Sequence, residues 1–404
     1  MFHHIPSDGG DAIFSLHEKF LQDRRDHKID LSVGMYFDDE GRVPVMQAVR
    51  EAELEAAQSP SPRPYQPMEG AAAYRQAVQR LVFGADHDAV RGGCIATLQT
   101  PGGSSALRLG GDFLKAFFGR AAVWLSDPSW NNHKAIFAGA GLEVSSYPYH
   151  DPATQGIRIG AMLERLDALP AHSIVVVHAC CHNPTGLDLS HEQWVEVAQV
   201  CRQRQLIPFL DFAYQGFGDG IEEDTLAVRV FLDAGLRFLV ANSFSKNFSL
   251  YGERCGALSV VCRDAEEAER VMSQLKAMVR RIYSNPPTHG GLLVARVLGS
   301  PVLRARWEQE LASMRQRIRS MRERIHAGLS AAFPGEDFGH YLTQRGMFSY
   351  TGLSGAQVAH LRQAHAIYLI DSGRMCMAGL NERNVDAVTD ALAETLGRVE
   401  QAAA

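Results

Sequence analysis

Short apolar runs alternate with amphipathic stretches between about residues 95 and 262, a pattern that predicts an α/β sheet. The runs are apolar at successive positions, which favours strands buried on both faces of a parallel sheet, with helices as crossovers. In such sheets ligands bind beyond the carboxyl ends of the strands, so polar residues just after each run are the first candidates for a site. Five runs are predicted as strands: 122–125, 174–177, 207–210, 238–240 and 257–261. Ser190 and Gln193 have capping-box spacing and predict the start of one crossover helix.

After Pro301, apolar residues recur at steps of three and four and predict one long helix. The stripe consists of Leu303, Trp307, Leu311, Met314, Ile318, Met321, Ile325 and Leu329. We interpret the seven arginines of this stretch, at positions 304, 306, 315, 317, 319, 322 and 324, as a solvated helix face. A helix of this length suits a link between two domains, and the runs 348–350 and 367–370 predict strands of a second, α+β unit.

Composition narrows the class of protein. The 404 residues are 46% hydrophobic and 21% charged, which indicates a soluble globular protein of two or three domains. With 40 Lys and Arg against 46 Asp and Glu, the net charge of −6 disfavours binding to nucleic acid. The seven cysteines lack CxxC spacing, so we expect reduced thiols and no metal. Neither a signal peptide nor a membrane-length apolar run is evident, so we expect a cytoplasmic location.

Four motifs with polar groups lie at the predicted ends of strands. The segment 100–105 (Thr-Pro-Gly-Gly-Ser-Ser) leads into a helix, where backbone N–H groups can face an anion. The others are Asn183-Pro184-Thr185-Gly186, then Asp211 with Tyr214, then Ser243, Ser245 and Lys246 with Arg254 beyond them. Each has an ordinary structural alternative, such as a helix cap, a turn or a surface lysine. Together they supply an amine for a Schiff base, a carboxylate for a pyridine nitrogen and a phosphate cradle, which are the requirements of pyridoxal phosphate.

This ordered set resembles the class I aspartate and aromatic-amino-acid aminotransferases over nearly the whole chain, from 29–34 to 372–374. The matching residues are Tyr65, Gly103, Ser104, Trp130, Asn183, Asp211, Tyr214, Ser243, Ser245, Lys246, Arg254 and Arg374. The resemblance implies the type I fold of pyridoxal-phosphate transferases, with a large cofactor-binding domain at 43–313 and a mostly parallel sheet. Residues 1–42 would form an N-terminal arm and, with 314–404, the small α+β domain. It also implies a homodimer with shared active sites, acting on amino acids and 2-oxo acids without nucleic-acid or membrane partners.

The resemblance assigns roles to the cofactor residues. Lys246 would hold the cofactor as a Schiff base and then carry the proton, while Asp211, supported by His133, would keep the pyridine nitrogen protonated. Tyr214 and Asn183 would hydrogen-bond the phenolic oxygen, and Trp130 would stack on the ring. The phosphate would be bound by Gly103, Ser104, Ser243, Ser245 and Arg254, joined by Tyr65 of the partner subunit.

The same resemblance assigns the substrate contacts. Arg374 would grip the α-carboxylate, with Gly34, Trp130 and Asn183 also lining the substrate site. Arg280 would bind the side-chain carboxylate of aspartate or glutamate across the dimer interface. Its neighbour Arg281 is the rival assignment.

Several segments look more like the aromatic branch than the aspartate branch: 67–70, 83–87, 137–141, 249–254 and 344–352. We therefore expect an aminotransferase that takes tyrosine and phenylalanine and also aspartate and glutamate, with an aspartate aminotransferase of weak aromatic activity as the alternative. Three positions depart from the family pattern: Ser105, Ile282 and Asp371. Ser105 would tighten the phosphate turn, Ile282 would free Arg280 to move, and Asp371 would weaken carboxylate binding if it faced the pocket.

Other classes fit less well. Decarboxylases and lyases share this scaffold, but the two carboxylate-binding arginines favour transamination. A dehydrogenase would need a GxGxxG fingerprint, which is missing after the first strand. The remote alternative is a non-catalytic, amino-acid-sensing regulator domain.

Overall fold

The computed structural model describes residues 1–6, 10–58, 62 and 64–403. The chain divides into two compact units, a small unit of Met1–Val43 with Arg317–Ala404 and a large unit of Pro44–Gln316. The limits 43–313, drawn from the sequence for the cofactor-binding domain, stay a prediction. Within the described residues, no helix is both long and apolar enough to cross a membrane.

Thirteen strands are assigned in the described chain: β1 Ile29–Asp30, β2 Ile95–Pro101, β3 Val123–Asp127, β4 Val144–Pro148, β5 His150–Asp151, β6 Gly156–Ile157, β7 Ile174–His178, β8 Ile207–Phe212, β9 Leu239–Ser243, β10 Cys255–Val261, β11 Phe348–Tyr350, β12 Ile367–Tyr368 and β13 Arg374–Cys376. The α-helices are α1 Ala12–Gln22, α2 Gln47–Gln58, α3 Ala72–Phe83, α4 Asp88–Arg91, α5 Gly102–Phe117, α6 Asn131–Gly139, α7 Ile159–Asp167, α8 His191–Gln203, α9 Leu226–Asp233, α10 Ala265–Ile282, α11 Thr288–Gly299, α12 Pro301–Ala332, α13 His340–Thr343, α14 Gly355–His365 and α15 Val385–Ala403.

The large unit is built on a seven-stranded sheet of order β2-β10-β9-β8-β7-β3-β4. All five predicted strands are present, and strands β9, β8, β7, β3 and β4 are parallel. Strand β10 runs antiparallel to both of its neighbours. Only residues 244–254 join β9 to β10, too few for the helical crossover that a parallel neighbour needs. The predicted α/β class with a mostly parallel sheet is confirmed.

Strand β2 was not among the predicted strands, because its side chains alternate between apolar and polar. Thr97 and Gln99 are nevertheless buried. The Thr97 and Ser259 hydroxyls lie 2.8 Å apart between β2 and β10. Hydrogen bonding within the sheet therefore satisfies polar groups that a hydrophobic pattern would place at the surface.

Two predictions about helices are confirmed. The Ser190 hydroxyl accepts from the Gln193 N–H while the Gln193 side chain accepts from the Ser190 N–H, a complete capping box at the start of α8. All eight apolar residues of the α12 stripe are buried. The boundary between the two compact units falls within this helix, after Gln316.

The interpretation of the α12 arginines as a solvated face is wrong for Arg322. Its side chain is only 3% exposed, and it donates hydrogen bonds to the Ser349 hydroxyl and to the carbonyl of Gly346, both at 2.9 Å. The other six arginines are partly exposed. Arg322 turns inward because it satisfies carbonyl groups of the segment that leads into β11, a pairing that the helical period does not reveal.

Two short sheets organise the small unit. Strand β1 pairs with β12 in parallel, and β11 pairs with β13 antiparallel, with Tyr350 opposite Arg374. The predicted run 348–350 is β11, whereas the run 367–370 forms a strand only over Ile367–Tyr368. Pairing with β11 places the start of β13, and therefore Arg374, inside the unit.

Candidate active site

Asp211, near the end of β8, is a buried carboxylate. The His133 Nε2 atom lies 3.0 Å from Oδ2, and His133 Nδ1 lies 2.9 Å from the Ser129 hydroxyl. Burial raises the pKa of Asp211, but the His133 hydrogen bond and the nearby positive charges outweigh it, so the pKa lies below its usual range. An ionised carboxylate only accepts, so His133 donates through Nε2. The structure thus holds a negative charge at this end of the sheet.

His178, on β7, is the register partner of Asp211 on β8. Its Nε2 lies 3.9 Å from Oδ2 of Asp211, and neither ring nitrogen makes a hydrogen bond. Burial is the main cause and neighbouring His133 a second one, and together they lower the pKa of His178 to about 3 although Asp211 opposes the shift. The imidazole is therefore neutral at neutral pH. His178 was not among the predicted site residues, although this histidine directly follows the apolar run 174–177.

The segment 181–186 follows β7 and is held from both sides. The backbone N–H groups of Cys181 and His182 donate to the Asp188 carboxylate at 2.7 and 2.9 Å. The His182 ring lies 2.8 Å from the hydroxyls of both Ser126 and Thr185. These contacts fix the backbone on either side of Asn183.

Asn183 and Tyr214 are brought together, as the sequence predicts. Asn183 Nδ2 donates to the Tyr214 hydroxyl at 3.5 Å, and both side chains are buried. Lys246 lies in the turn after β9, with its Nζ 4.8 Å from the centre of the Tyr214 ring. Its charge also helps to lower the pKa of Asp211. An amine, a phenol, an amide and a carboxylate therefore surround one space at the carboxyl ends of β7, β8 and β9.

Beside these residues, hydroxyl groups, a guanidinium and a helix start converge. Ser243 and Ser245 hydroxyls lie 3.1 Å apart, and Arg254 Nη1 donates to the Ser245 hydroxyl at 3.3 Å. Helix α5 begins at Gly102, whose φ is +80°. A Cβ atom there would lie 2.5 Å from Arg254 Nη2, so only glycine allows this close approach. Guanidinium, hydroxyls and a helix N-terminus together suit a phosphate dianion.

Three further predicted residues are placed around this centre. Gly103 and Ser104 lie in the first turn of α5, where a Cβ on Gly103 would lie 3.2 Å from the Ser243 Cβ. Trp130 precedes α6, and its ring meets His133 edge to face at 5.2 Å. Tyr65 differs from them, since its side chain is 92% exposed.

Arg374 is buried in the small unit at the start of β13. It donates through Nη2 to the Ser32 carbonyl at 2.6 Å, and its guanidinium lies 4.3 Å from the centre of the Phe348 ring. A Cβ atom on Gly34 would lie 2.7 Å from Cζ of Phe348, so Gly34 makes room for that ring. Phe348 was not among the predicted site residues, because nothing in the surrounding sequence pattern separates it from an ordinary core aromatic residue. Asp371 is exposed and lies 3.3 Å from Arg362, so its carboxylate pairs on the surface.

Arg280 and Arg281 both lie in the last turn of α10 with exposed side chains. Arg280 donates to the Ser284 hydroxyl, whereas Arg281 donates to the backbone carbonyl of Ala277 at 3.2 Å. Ile282 is 55% exposed. The two arginines thus donate to different partners, and Arg280 is the one whose acceptor is a side-chain hydroxyl.

The family model for class I and II aminotransferases matches residues 26–392. The chain belongs to this family. The aromatic-amino-acid aminotransferase of Escherichia coli is 53% identical over 98% of the chain and all of that protein. The aspartate aminotransferase of Pseudomonas aeruginosa is 50% identical over 96% of the chain and 97% of that protein. Among solved structures, an aromatic-amino-acid aminotransferase from Burkholderia pseudomallei, covalently bound to pyridoxal phosphate, has a TM-score of 0.96 at 49% identity, covering 98% and 99% of the two chains.

The family match confirms the resemblance seen in the sequence, and the structural match confirms the expected aminotransferase fold. In the large unit the structure gathers Asp211, Tyr214, Asn183 and Lys246, with Ser243, Ser245 and Arg254 beside them. The roles assigned to these residues stay predictions. His178 and His182 are the main additions to the set. A signal for both was present, since His178 directly follows the predicted strand 174–177 and His182 directly precedes the Asn183-Pro184-Thr185-Gly186 motif.

Proposed function

We propose that this aminotransferase moves the amino group of tyrosine, phenylalanine, aspartate or glutamate to 2-oxoglutarate by a ping-pong mechanism. The grouping of Lys246, ionised Asp211 and the Asn183–Tyr214 pair beside the start of α5 carries this proposal. The substrate class is supported by full-length identity of 53% to an aromatic-amino-acid aminotransferase. The 50% identity to an aspartate aminotransferase supports dicarboxylates as further substrates.

The cofactor is pyridoxal phosphate, and the donor set of the large unit fits it. Arg254, Ser243, Ser245 and the N–H groups of α5, from Gly103 and Ser104 onward, would hold the phosphate. Lys246 offers the amine for the aldehyde, and Asp211 the carboxylate for the ring nitrogen. When bound, pyridoxal phosphate supplies an electron-poor ring that stabilises negative charge at the substrate α-carbon.

Different residues of the chain would hold the protons, move them and shield the site. Asp211 would keep a proton on the ring nitrogen, because its own pKa stays low beside the donating His133. Tyr214 and Asn183 would donate hydrogen bonds to the phenolic oxygen and hold it ionised. Lys246 Nζ would accept the proton from the substrate α-carbon and donate it to the cofactor carbon. Trp130 would pack over the ring and exclude water from that face.

Substrate selection rests on two arginines. Arg374 would bind the α-carboxylate through two guanidinium N–H groups, with its orientation set by the Phe348 ring, for which Gly34 makes room. Arg280 would bind a side-chain carboxylate from across a homodimer interface, and Tyr65 would complete the phosphate site of the partner subunit. The exposure of both residues in the isolated chain supports this arrangement. An aromatic side chain requires Arg280 to turn away, because a buried unpaired guanidinium costs several kcal/mol.

The decisive experiment mixes the holoenzyme with tyrosine, phenylalanine and aspartate in separate stopped-flow runs. We expect the absorbance of the bound cofactor to change with all three, with aromatic donors at least as fast as aspartate. Reaction with aspartate alone would make the chain an aspartate aminotransferase, the second candidate favoured by the 50% identity to that relative. No change with any donor would contradict the proposal. The cytoplasmic location stays a prediction.

A further inference from the structure

Two histidines and a glutamate form a cluster in the small unit, on two helices that carry none of the residues assigned above to the cofactor or the substrate. His360 and His365 lie on α14, and Glu394 lies on α15. One ligand atom from each comes within 4.8 Å of the other two. His365 Nε2 is 3.3 Å from one carboxylate oxygen of Glu394, and His360 Nε2 is 4.0 Å from the other. We call these three residues the α14–α15 cluster.

The ring nitrogens that face Glu394 lack hydrogen bonds. The Nε2 atoms of both His360 and His365 are shielded from solvent and have no partner of suitable geometry. Buried ring nitrogens are normally paired, so this arrangement calls for a further group. Glu394 itself is half exposed. Arg398 Nη2 and Nε lie 3.0 and 3.1 Å from Glu394 Oε1, the oxygen that faces His360. Water and ions therefore reach the cluster from the carboxylate side.

We propose that the α14–α15 cluster binds a divalent transition metal, with Zn²⁺ as the best match. Two imidazole nitrogens and one carboxylate oxygen are a three-ligand zinc set, and the solvent side leaves the fourth position for water. Zinc–ligand bonds of about 2.0–2.2 Å need ligand atoms about 3.3 Å apart. The His365–Glu394 pair already has that separation, and rotation of the His360 side chain closes the rest. Arg398, which is largely exposed, turns to solvent as the metal takes its place.

Two other groups of metal-ligating side chains exist within the described residues, and each is already engaged. His133 and Asp211 hydrogen-bond to each other in the cofactor site. Asp224, beside Cys180 and Cys181, accepts four backbone N–H groups with its two buried oxygens. Of these three groups, all found in the described part of the chain, the α14–α15 cluster is the one that combines ring nitrogens lacking hydrogen bonds with access from solvent. A bound metal would link α14 to α15 and stabilise the small unit.

The test uses metal-free holoenzyme dialysed against Zn²⁺, with bound zinc measured per chain. We expect one zinc per chain in the wild type and an affinity at least about tenfold weaker in His365→Gln and Glu394→Gln. His326→Gln is the matched control, because His326 is a half-buried histidine of the same unit outside the cluster. Thermal unfolding provides the second readout, since zinc should raise the unfolding temperature of the wild type and the control only.

Co²⁺ in place of Zn²⁺ identifies the ligands without any variant. A spectrum of nitrogen and oxygen ligands supports the proposal, and a thiolate charge-transfer band would place the metal on cysteine and overturn it. Equal zinc binding by wild type, His365→Gln and Glu394→Gln would also overturn it, as would no binding by the wild type. The Glu394→Gln change is at an exposed position, so it answers the question if His365→Gln does not fold. None of these readouts depends on the transaminase reaction.

Discussion

His178 lies directly beside Asp211 across the β7–β8 pairing, yet it makes no hydrogen bond and stays neutral. Its Nε2 is 3.9 Å from the carboxylate, while His133, whose ring centre lies 5.1 Å from that of His178, donates to the same oxygen at 3.0 Å. The ionised carboxylate of Asp211 therefore has one histidine that donates a hydrogen bond to it, His133, and one uncharged histidine beside it, His178. A second positive charge next to Asp211 would compete with the cofactor nitrogen for the carboxylate.

This pair predicts a pH-dependent loss of stability. The folded-state pKa of His178 is about 3 and its unfolded pKa is about 6.5, so between these values the unfolded chain binds the extra proton. The free energy of unfolding therefore decreases as the pH falls below 6.5, by about 1.4 kcal/mol per pH unit. His178→Gln removes this dependence, and its free energy of unfolding should fall less steeply with pH. Urea unfolding of the holoenzyme between pH 4 and 7 measures it. The exposed His191→Gln control should match the wild-type slope, and equal slopes for all three proteins would contradict the argument.

The close approach of Gly102 to Arg254 predicts a defect in cofactor binding. In Gly102→Ala the new Cβ would meet Arg254 Nη2 at 2.5 Å, at a φ of +80° that alanine resists. Arg254 must shift, and pyridoxal phosphate should bind about tenfold or more weakly. Gly252→Ala, in the loop that carries Arg254, is the control, because its Cβ would have no neighbour within 4 Å. Cofactor affinity measured by fluorescence distinguishes them, and equal affinities for both variants would show that Gly102 is not needed.

Arg280 and Arg281 can be separated by substrate. Arg280→Ala should lower kcat/KM for aspartate by about 10- to 100-fold, because a charged hydrogen-bonding partner of the side-chain carboxylate is lost. Its kcat/KM for tyrosine should change little. Arg281→Ala, which removes a bond to the Ala277 carbonyl, should affect neither substrate strongly. A selective loss for aspartate in Arg281→Ala would reverse the assignment.

Ile282 sits two residues beyond Arg280 with a side chain 55% exposed, and it offers that arginine no polar partner. Ile282→Asn introduces an amide that holds Arg280 in place. We expect the ratio of aspartate to phenylalanine activity to rise several-fold. Steady-state kinetics with both donors provide the measurement. Unchanged relative rates would show that Ile282 does not influence Arg280.

Arg322 should matter for stability far more than its neighbours on α12. Arg322→Ala leaves the Ser349 hydroxyl and the Gly346 and Phe348 carbonyls without their donor inside the small unit. The expected loss is about 2 to 4 kcal/mol of the free energy of unfolding. Arg304→Ala, at a partly exposed i,i+4 ion pair with Glu308, should cost less than about 1 kcal/mol. Chemical denaturation of both variants provides the comparison, and similar losses would contradict the structural role of Arg322.

Local periodicity and residue chemistry were enough to predict much of this protein. Strands buried on both faces appear as short apolar runs, so β7 and β8 are evident in the sequence. The stripe of α12 repeats at the helical period, and a capping box needs only Ser190 and Gln193. Lys246, Asp211 and Arg254 carry functional groups that few cofactors other than pyridoxal phosphate require together. These features depend on residues near one another in the chain or on side-chain chemistry alone.

Tertiary structure decided the features that join distant parts of the chain. The polar strand β2 is buried because its hydroxyls find partners on β10, and β10 is antiparallel because its connection to β9 is short. His178 becomes a neighbour of Asp211 only through strand pairing, and Arg322 turns inward only because carbonyl groups 24 and 26 residues away need a donor. The sequence specifies which groups exist and how each segment repeats. Packing determines which groups meet, and therefore which charges are paired, buried or left exposed.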